Sequence, residues 1–317
     1  MSKIAVVYWS GTGNTEAMAN EVAEGAKAAG AEVDVLTASE FGADIARANN
    51  LGVINVLTGF KFIGQKIKSF EENLTKEESH LGRDILKILI KNTYIAKEKS
   101  IPLCQDTGMA VFFVEVGQDV IVVGDTLTEA INKGVSQGYI QGYLRKSVVS
   151  PIERINTKDN TPAIIHYEMV KGDKIKIQYA PKGFGSENMS KLKMLKPSDG
   201  IDGIKQFIID TVSEAGPNPC PPIVVGVGIG GTVDKCAQIA KKALFRNIGE
   251  HNKDENIKNL EREMLEKIND LGIGPQGFGG NTTALAVNIE TFPTHIAGLP
   301  VVVNINCHCA RHKQVII

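Results

Sequence analysis

The chain has 317 residues, of which 43% are hydrophobic, and its formal net charge is -1 at pH 7. This length is sufficient for one large or two ordinary domains with a buried core. A nearly neutral chain without a basic patch is not expected to bind nucleic acid. Five cysteines are an odd number for a disulfide framework, and neither a signal peptide nor a long apolar span is evident. We therefore expect a soluble protein of the cytoplasm that does not contact a membrane.

The first 50 residues predict a β-strand, a polar loop, a helix and a second strand. The strands are predicted at residues 3–9 and 32–36, and the helix at residues 16–30. The loop lies just before the helix, where backbone N–H groups can bind a phosphate. Its polar side chains are Ser10, Thr12, Asn14 and Thr15. The segment resembles the start of a flavodoxin, in which such a loop binds the phosphate of FMN. The resemblance ends near residue 50, before the strands and loops that enclose a flavin ring, so we do not expect FMN to bind.

A predicted junction follows at residues 51–73. Residues 55–72 resemble a short segment of bacterial phosphoglucomutases, but the sugar-recognition and phosphoserine loops of those enzymes are missing. No functional residue is assigned to this segment. Together with the flavodoxin-like fragment, it indicates a chimeric chain of three parts, at residues 1–50, 51–73 and 74–317.

The third part alternates between helical and strand-like segments. A long helix is predicted at residues 77–97. Residues 111–123 contain two strand-like runs separated by a turn at residues 117–119, and residues 160–179 contain two more around residues 171–173. Both turns are typical of β-hairpins.

The remaining elements indicate a mixed α/β fold (α+β) with more than one sheet. Helices are predicted at residues 128–143, 201–215, 233–245 and 251–271, and strands at residues 223–227 and 284–289. Two glycine-rich loops interrupt them, at residues 228–232 and 272–283. We expect the first to be a tight turn beside the cysteine site described next, and the second to line a pocket.

Three cysteines lie in separate loops, each next to an apolar run. Cys104 lies in IPLCQDTG, Cys220 in GPNPCPP and Cys307 in NINCHCARH. Zinc fingers and redox sites use closely spaced cysteine pairs, which this set lacks. Three thiolates can hold a four-iron four-sulfur cluster with one iron open to a substrate, where it acts as a Lewis acid. Cysteines are also common as small buried residues, and spacing alone does not decide between the two interpretations.

The other two cysteines have different contexts. Cys236 lies on the helix predicted at residues 233–245 and is expected in the core. Cys309 follows Cys307 by two residues and would face the same way on a strand. Two roles for Cys309 stay open: it could replace Cys307 as a ligand, or it could bind an alternative form of the cluster.

From Leu74 to Ile317 the chain resembles the α subunit, or the N-terminal catalytic region, of class I iron-sulfur fumarate hydratases and the related tartrate dehydratases. Long segments in the same order carry this resemblance along most of the chain. They are IPLCQDTG, GYLRKSVV, NTPAIIH, APKGFGSENMS, AGPNPCPPIVVGVGIGGT, LGIGPQGFGGNTTALAV and HIAGLPVVVNINCHCARH.

The resemblance implies a hydro-lyase that adds water reversibly to the double bond of a dicarboxylate. It implies a four-iron four-sulfur cluster with three cysteine ligands, Cys104, Cys220 and Cys307. The implied catalytic residues are Asp106 and His295, and the implied substrate contacts are Gln105, Arg145, Gly183 and Gly185. A β subunit of the same hydratase would complete the site in an oligomer, so the chain alone is expected to turn over poorly or not at all.

Several alternatives remain open at this point. The segments GFGSENMS and THIAGLP favour fumarate and (S)-malate as substrates, and L-tartrate is the nearest competitor. A flavodoxin-like electron carrier would bind FMN and would not need the three cysteines. A non-catalytic chimera would fold without a cluster. Without a family context, Arg145 would be interpreted as a surface charge and His295 as a structural residue.

Overall fold

The structure is a computed structural model that describes residues 3–8, 23–24, 27–28, 32–37, 62–99, 101–122 and 124–317. The chain divides into two compact units. The first unit comprises residues 1–59, 100–181 and 311–317, and the second comprises residues 60–99 and 182–310. The predicted phosphate loop, with Ser10, Thr12, Asn14 and Thr15, lies outside the described residues.

Two parallel strands form a small sheet near the N-terminus of the first unit. Strand β1 (Lys3–Tyr8) pairs in register with β2 (Glu32–Thr37). Parallel neighbours require a crossover connection, which is a feature of the βαβ unit expected for a flavodoxin-like fragment. Both predicted strands are confirmed to within a residue.

A four-stranded sheet and one long helix make up the rest of the first unit. The elements are β3 (Met109–Gly117), α3 (Leu127–Gln141), β4 (Ile164–Val170), β5 (Ile175–Lys182) and β10 (Lys313–Ile316). The strand order is β10-β5-β3-β4. Helix α3 belongs to the same core as the sheet, which buries Phe112, Ile131 and Tyr139 completely. The rings of Phe112 and Tyr179 lie 5.0 Å apart within this core.

Neither predicted hairpin forms. Residues 118–122 form no strand, so the second strand of the first predicted hairpin is absent from them. Strands β4 and β5 are joined by a turn, but β3 lies between them in the sheet. The turn closes over the end of β3, where Gly117 N donates to Lys174 O at 2.9 Å and Asp119 N donates to Gly172 O at 3.0 Å. The turn sequence therefore predicted that the chain reverses direction. It did not predict which strands become neighbours in the sheet.

The second unit contains another four-stranded sheet with helices around it. Its helices are α1 (Phe62–Lys76), α2 (His80–Lys99), α4 (Phe184–Glu187), α5 (Gly200–Ala215), α6 (Val233–Ala243) and α7 (Glu255–Asn269). Its strands are β6 (Lys191–Leu195), β7 (Ile223–Gly230), β8 (Ala284–Phe292) and β9 (Leu299–Asn306). The order is β6-β9-β7-β8, with β7 parallel to β8 and antiparallel to β9.

The core of the second unit lies against the central strand β7. Residues of α5 and α7 pack on the sheet, and Ile208, Met264 and Ile268 are completely buried. Helix α6 lies so close to β7 that a Cβ at Gly228 would meet the carbonyl oxygen of Cys236 at 2.2 Å. Cys236 is completely buried, and burial raises the pKa of its thiol to about 11. The prediction that Cys236 is a core residue is confirmed.

The helix predicted at residues 77–97 corresponds to α2, and α1 precedes it. Helix α1 ends at Lys76 and α2 begins at His80, and Glu77 is completely buried in the break between them. The mixed α/β fold with more than one sheet is confirmed. In the described part of the chain, no helix combines the length and apolar character needed to cross a membrane.

Candidate functional site

The loop that carries Cys104 lies just before β3 in the first unit. Thr107 and Gly108 are buried, whereas Cys104 and Asp106 are half-buried. Two buried side chains hold its backbone: Tyr139 Oη donates to Thr107 O at 2.7 Å and Asn160 Nδ2 donates to Gly108 O at 3.0 Å. The loop is thus anchored from inside the unit, and its start faces outward.

Asp106 is fixed through both its backbone and its side chain. Arg311 Nη2 donates to Asp106 O at 3.0 Å, and Gly108 N donates to Asp106 Oδ1 at 2.9 Å. Thr107 Oγ1 donates to Arg145 O at 3.0 Å, which brings the Arg145 segment to the same loop. The Arg145 side chain and Gln105 are both exposed. The structure therefore groups Cys104, Gln105, Asp106 and Arg145 in the first unit.

Tyr139, which supports this loop, and its neighbour Tyr179 remain neutral. Burial raises the pKa of Tyr139 to about 12, and burial together with the neighbouring Tyr139 raises the pKa of Tyr179 well above its ordinary value. A neutral phenol is a hydrogen-bond donor, and Tyr139 Oη donates to Thr107 O and also to Gly108 O, at 3.1 Å. Sequence reasoning missed this support because Tyr139 and Asn160 are distant from the loop along the chain.

Cys220 and Cys307 lie at the same edge of the sheet in the second unit. Cys220 comes shortly before β7 begins, and Cys307 follows the end of β9 directly. These ends meet because Val224 pairs with Asn306 in the antiparallel register. Cys220 is exposed and Cys307 is half-buried, and His308 N donates to Cys220 O at 3.3 Å. Antiparallel pairing thus brings together two of the three predicted ligands.

The glycine-bearing loop after β5 lies beside the Cys220 loop. A Cβ at Gly185 would be only 3.9 Å from Asn218 O, and Gly183 precedes the short helix α4. Glu187 joins this loop to β9 because Asn304 Nδ2 donates to Glu187 Oε2 at 3.2 Å. Gly183 and Gly185 are therefore grouped with Cys220 and Cys307 in the second unit.

Lys182 is a buried cation under the same loop. Its Nζ lies 3.2 Å from Glu187 Oε2 and donates to Ser186 Oγ at 2.9 Å and to Gly183 O at 3.0 Å. Burial lowers the pKa of Lys182 to about 8, although the charge of Glu187 opposes this effect. Burial alone would raise the pKa of Glu187, but Lys182 and Lys241 hold it below its ordinary value. Sequence reasoning assigned no role to Lys182.

His295 lies at the opposite edge of this sheet. It follows β8, and its neighbour Thr294 donates through Oγ1 to Gly231 O at 2.9 Å, next to the end of β7. The eight residues of β7 span about 25 Å, which separates His295 from Cys220 and Cys307 within the unit. The glycine turn at residues 228–232 also lies at that far edge, so the expected position beside the cysteine site is wrong. His295 is exposed, and its catalytic assignment stays a prediction.

The glycine-rich loop at residues 272–283 is held by the buried carboxylate of Glu77. Oε1 accepts from Ser79 N and Asn281 N at 3.0 Å each, and Oε2 accepts from Thr282 N at 2.9 Å. Burial would raise the pKa of Glu77, but these N–H donors keep it below its ordinary value. A Cβ at Gly280 would meet Glu77 Oε1 at 2.4 Å, so this position requires glycine. No sequence signal linked Glu77 to a loop some 200 residues away.

A cavity of about 490 Å³ opens in the second unit. It is lined by residues of α1, α7 and β8, including Glu72, Glu266 and Asp270. None of the predicted site residues lines it. Asn281 and Thr282 line it as well, so the expectation that the glycine-rich loop at residues 272–283 lines a pocket is confirmed.

The comparisons with known proteins identify the family. The sequence model of the family described as Fumarate hydratase (Fumerase) matches residues 59–316. The chain belongs to this family of hydro-lyases. A flavodoxin family model matches residues 6–100, in agreement with the flavodoxin-like start. The two matches overlap, so the boundaries expected at residues 50 and 73 stay predictions.

Two curated relatives of this chain are named as tartrate dehydratase subunits. The chain is 47% identical over 257 residues to the "Putative L(+)-tartrate dehydratase subunit alpha" of Methanocaldococcus jannaschii, covering 79% of this chain and 90% of that protein. It is 32% identical over 245 residues to the "L(+)-tartrate dehydratase subunit alpha" of Escherichia coli O157:H7, covering 76% of this chain and 80% of that protein. These names agree with the tartrate dehydratase branch of the resemblance.

Proposed function

We propose that this chain is the α subunit of a hydro-lyase that adds water reversibly to a four-carbon unsaturated dicarboxylate. The observation that carries the proposal is the position of Cys220 and Cys307 at one sheet edge, beside the loop with Gly183 and Gly185, in a chain of the fumarate hydratase family. Ligand-bearing loops beside a backbone that leaves room for a substrate are the expected parts of such a site.

A four-iron four-sulfur cluster is the cofactor we propose, with Cys104, Cys220 and Cys307 as ligands. The donor chemistry fits, because all five cysteines lie in the described part of the chain and none forms a disulfide. In neither unit do three described His, Cys, Asp or Glu side chains group closely enough to hold a metal ion. Each unit supplies only part of the proposed ligand set. When bound, a cluster with three thiolate ligands supplies a Lewis acid at its fourth iron.

The remaining proposed residues bind the substrate and move a proton. Arg145 suits a substrate carboxylate because its planar guanidinium can donate two parallel hydrogen bonds. Gln105 offers an exposed amide next to Cys104. Backbone groups at Gly183 and Gly185 would contact the substrate closely, as the missing Cβ atoms allow.

Asp106 is the proposed acid/base residue. In the dehydration direction, the C–H bond next to a carboxylate breaks and its proton leaves toward Asp106, with a hydroxyl group of a β subunit as relay. The neighbouring C–O bond breaks, and hydroxide leaves with its electron pair. Because Asp106 is held by Arg311 and Gly108, its carboxylate can stay oriented during this transfer. His295 stays a proposed second catalytic residue.

Fumarate and (S)-malate are the proposed substrates, on the basis of the segments GFGSENMS and THIAGLP. L-Tartrate is the second candidate, because the relatives with 47% and 32% identity are named tartrate dehydratase subunits. Those names also support a β subunit as partner. We propose that the assembly works in the cytoplasm, where a cluster of this type is maintained under reducing conditions.

The test is anaerobic reconstitution of the purified chain with iron and sulfide, followed by metal analysis, a visible spectrum and assays with a β subunit. We expect about four irons per chain, as a cubane cluster requires, no flavin absorption, and turnover only with the β subunit. Assays with (S)-malate and L-tartrate, at equal concentrations, separate the two substrates. A bound flavin without iron would instead indicate a flavodoxin-like electron carrier, and neither cofactor would indicate a non-catalytic chimera.

A further inference from the structure

The residue that follows Cys307 contacts the loop that carries Cys220. Besides the contact of His308 N with Cys220 O, Nδ1 of the His308 ring lies 3.0 Å from the same oxygen. The backbone and the ring of His308 therefore converge on one carbonyl group. This arrangement connects the end of β9 to the segment that leads into β7.

Gln276, from the glycine-rich loop, contacts both the loop that carries Cys220 and the ring of His308. Its backbone N donates to Pro221 O at 2.8 Å, and its Nε2 donates to the same oxygen at 2.6 Å. Nε2 also lies 3.1 Å from His308 Nδ1. Three loops thus meet at the amide of Gln276 and the ring of His308.

The ring of His308 uses both nitrogens in either neutral tautomer. If Nδ1 carries the proton, it donates to Cys220 O, and Nε2 can accept from the thiol of Cys309, which lies 3.1 Å away. If Nε2 carries the proton, it donates to Cys309 Sγ, and Nδ1 accepts from Gln276 Nε2. A neutral imidazole has one donor and one acceptor, so each tautomer connects the buried Cys309 to one of the neighbouring loops.

The backbone at both neighbouring loops is strained. Cys220 has a φ of 55° and Gln276 a φ of 54°, in the left-handed region that non-glycine residues rarely adopt. Such conformations persist where the surrounding contacts determine them. The hydrogen bonds that join His308, Gln276, Cys220 and Pro221 therefore include both residues with this strained backbone.

We propose that His308 is a positioning residue, supported by Gln276, that sets where the Cys307 thiol lies relative to the Cys220 thiol. This inference rests on the proposed function, in which both thiols bind the cluster. Groups behind metal ligands orient them, and ligands on loops depend on such support more than ligands on regular elements. His308 would act without touching the cluster or the substrate.

The experiment measures the thiol pair directly in the reduced, metal-free full-length chain. Dibromobimane becomes fluorescent when it crosslinks two nearby thiols, and peptide mapping identifies the Cys220 to Cys307 product. Labelling with monobromobimane corrects for the reactivity of each thiol. We expect His308→Ala and Gln276→Ala to slow this crosslink about tenfold, the same order as the loss of metal affinity when a group behind a ligand is removed.

Matched variants separate positioning from general destabilisation. His308→Asn places an amide near the position of Nδ1 and should restore most of the crosslinking rate, because the contact to Cys220 O can form again. His80→Ala and Gln206→Ala change exposed residues of α2 and α5 in the same unit and should have no effect. Far-UV circular dichroism confirms that each variant is folded.

Reconstitution of the same variants with iron and sulfide distinguishes this inference from the proposed function. We expect His308→Ala to assemble less cluster and to lose it faster in air, with His308→Asn close to the parent chain. If crosslinking depends on His308 but no chain assembles a cluster, the proposed function fails and the positioning role stands. Equal crosslinking in the parent chain and in His308→Ala would overturn the positioning role. A parent chain that forms no crosslink between Cys220 and Cys307 would also overturn it.

Discussion

The loop before β3 in the first unit and the glycine-rich loop in the second are held by groups of different charge. In the first unit, the loop before β3 is held by the hydroxyl of Tyr139 and the amide of Asn160, which donate to backbone carbonyls. In the second unit, the glycine-rich loop before β8 is held by the carboxylate of Glu77, which accepts from backbone N–H groups. Each group is completely buried, so water cannot replace it.

This difference means that the two loops should respond differently to acid. Asn160 does not titrate, and the pKa of Tyr139 of about 12 keeps its hydroxyl protonated at ordinary pH. The pKa of Glu77 lies below its ordinary value of 4.5, so its ionised form stabilises the folded state. That stabilisation is present above pH 4.5 and is lost as the pH falls through the folded-state pKa.

The largest expected effect tests the proposed cluster ligands in each unit. Cys104→Ala in the first unit, and Cys220→Ala or Cys307→Ala in the second, should each abolish cluster assembly, because a thiolate ligand is lost in each case. Iron and sulfide content after anaerobic reconstitution is the measurement. Cys236→Ala is the control and should leave assembly unchanged. A full cluster in Cys307→Ala would remove that residue from the ligand set.

The next effect is a loss of stability in the first unit. Asn160→Ala removes the donor to Gly108 O and the acceptor for Ser147 N and Val148 N, so buried polar groups lose their partners. We expect the free energy of unfolding in urea to fall by about 3 kcal/mol, equally at pH 4 and pH 7. Gln118→Ala, at an exposed amide side chain of the same unit, should change it by less than about 0.5 kcal/mol. A loss that depends strongly on pH would contradict the comparison.

A smaller and pH-dependent effect is expected in the second unit. Glu77→Gln replaces one of two acceptor oxygens by an NH₂ group, so part of the contacts to Ser79, Asn281 and Thr282 is lost. We expect a decrease of about 2 kcal/mol at pH 7 that shrinks as the pH falls below 4.5. Hydrogen exchange at Asn281 and Thr282 reports this loop directly. Glu78→Gln, at the exposed neighbouring residue, is the control and should keep the acid dependence of the parent chain.

The smallest effect concerns the helix that carries Tyr139. Thr126 caps α3, accepting from Glu129 N at 3.2 Å while its own N donates to Glu129 Oε2 at 2.9 Å. Thr126→Ala should destabilise the first unit by about 1 kcal/mol, as for other caps. Thr126→Ser keeps a capping hydroxyl and should therefore keep most of the stability of the parent chain. Urea unfolding measures both variants. Faster exchange at Gly108 in Thr126→Ala would show that the helix transmits its position to the Cys104 loop.

Much of the fold was accessible from local sequence patterns. The apolar runs of β7 and β8 and the periodicity of α3 and α5 depend only on neighbouring residues, and these elements appear within a few residues of their predicted bounds. The first predicted hairpin was wrong because residues 118–122 form no strand. The second was wrong because strand neighbours are chosen by tertiary packing, which inserts β3 between β4 and β5. The same holds for the glycine turn at residues 228–232, whose distance from Cys220 depends on the direction of β7.

The sequence by itself determined the family, the helices and strands, and which cysteines lie in loops, because these depend on residue types and their spacing. Only the tertiary structure decided which of these residues meet. The register between β7 and β9 brings Cys220 and Cys307 to one edge and leaves His295 at the other. Asn160, Glu77 and His308 hold loops that are distant along the chain. Buried polar groups must find partners wherever the fold provides them, and no local pattern encodes that choice.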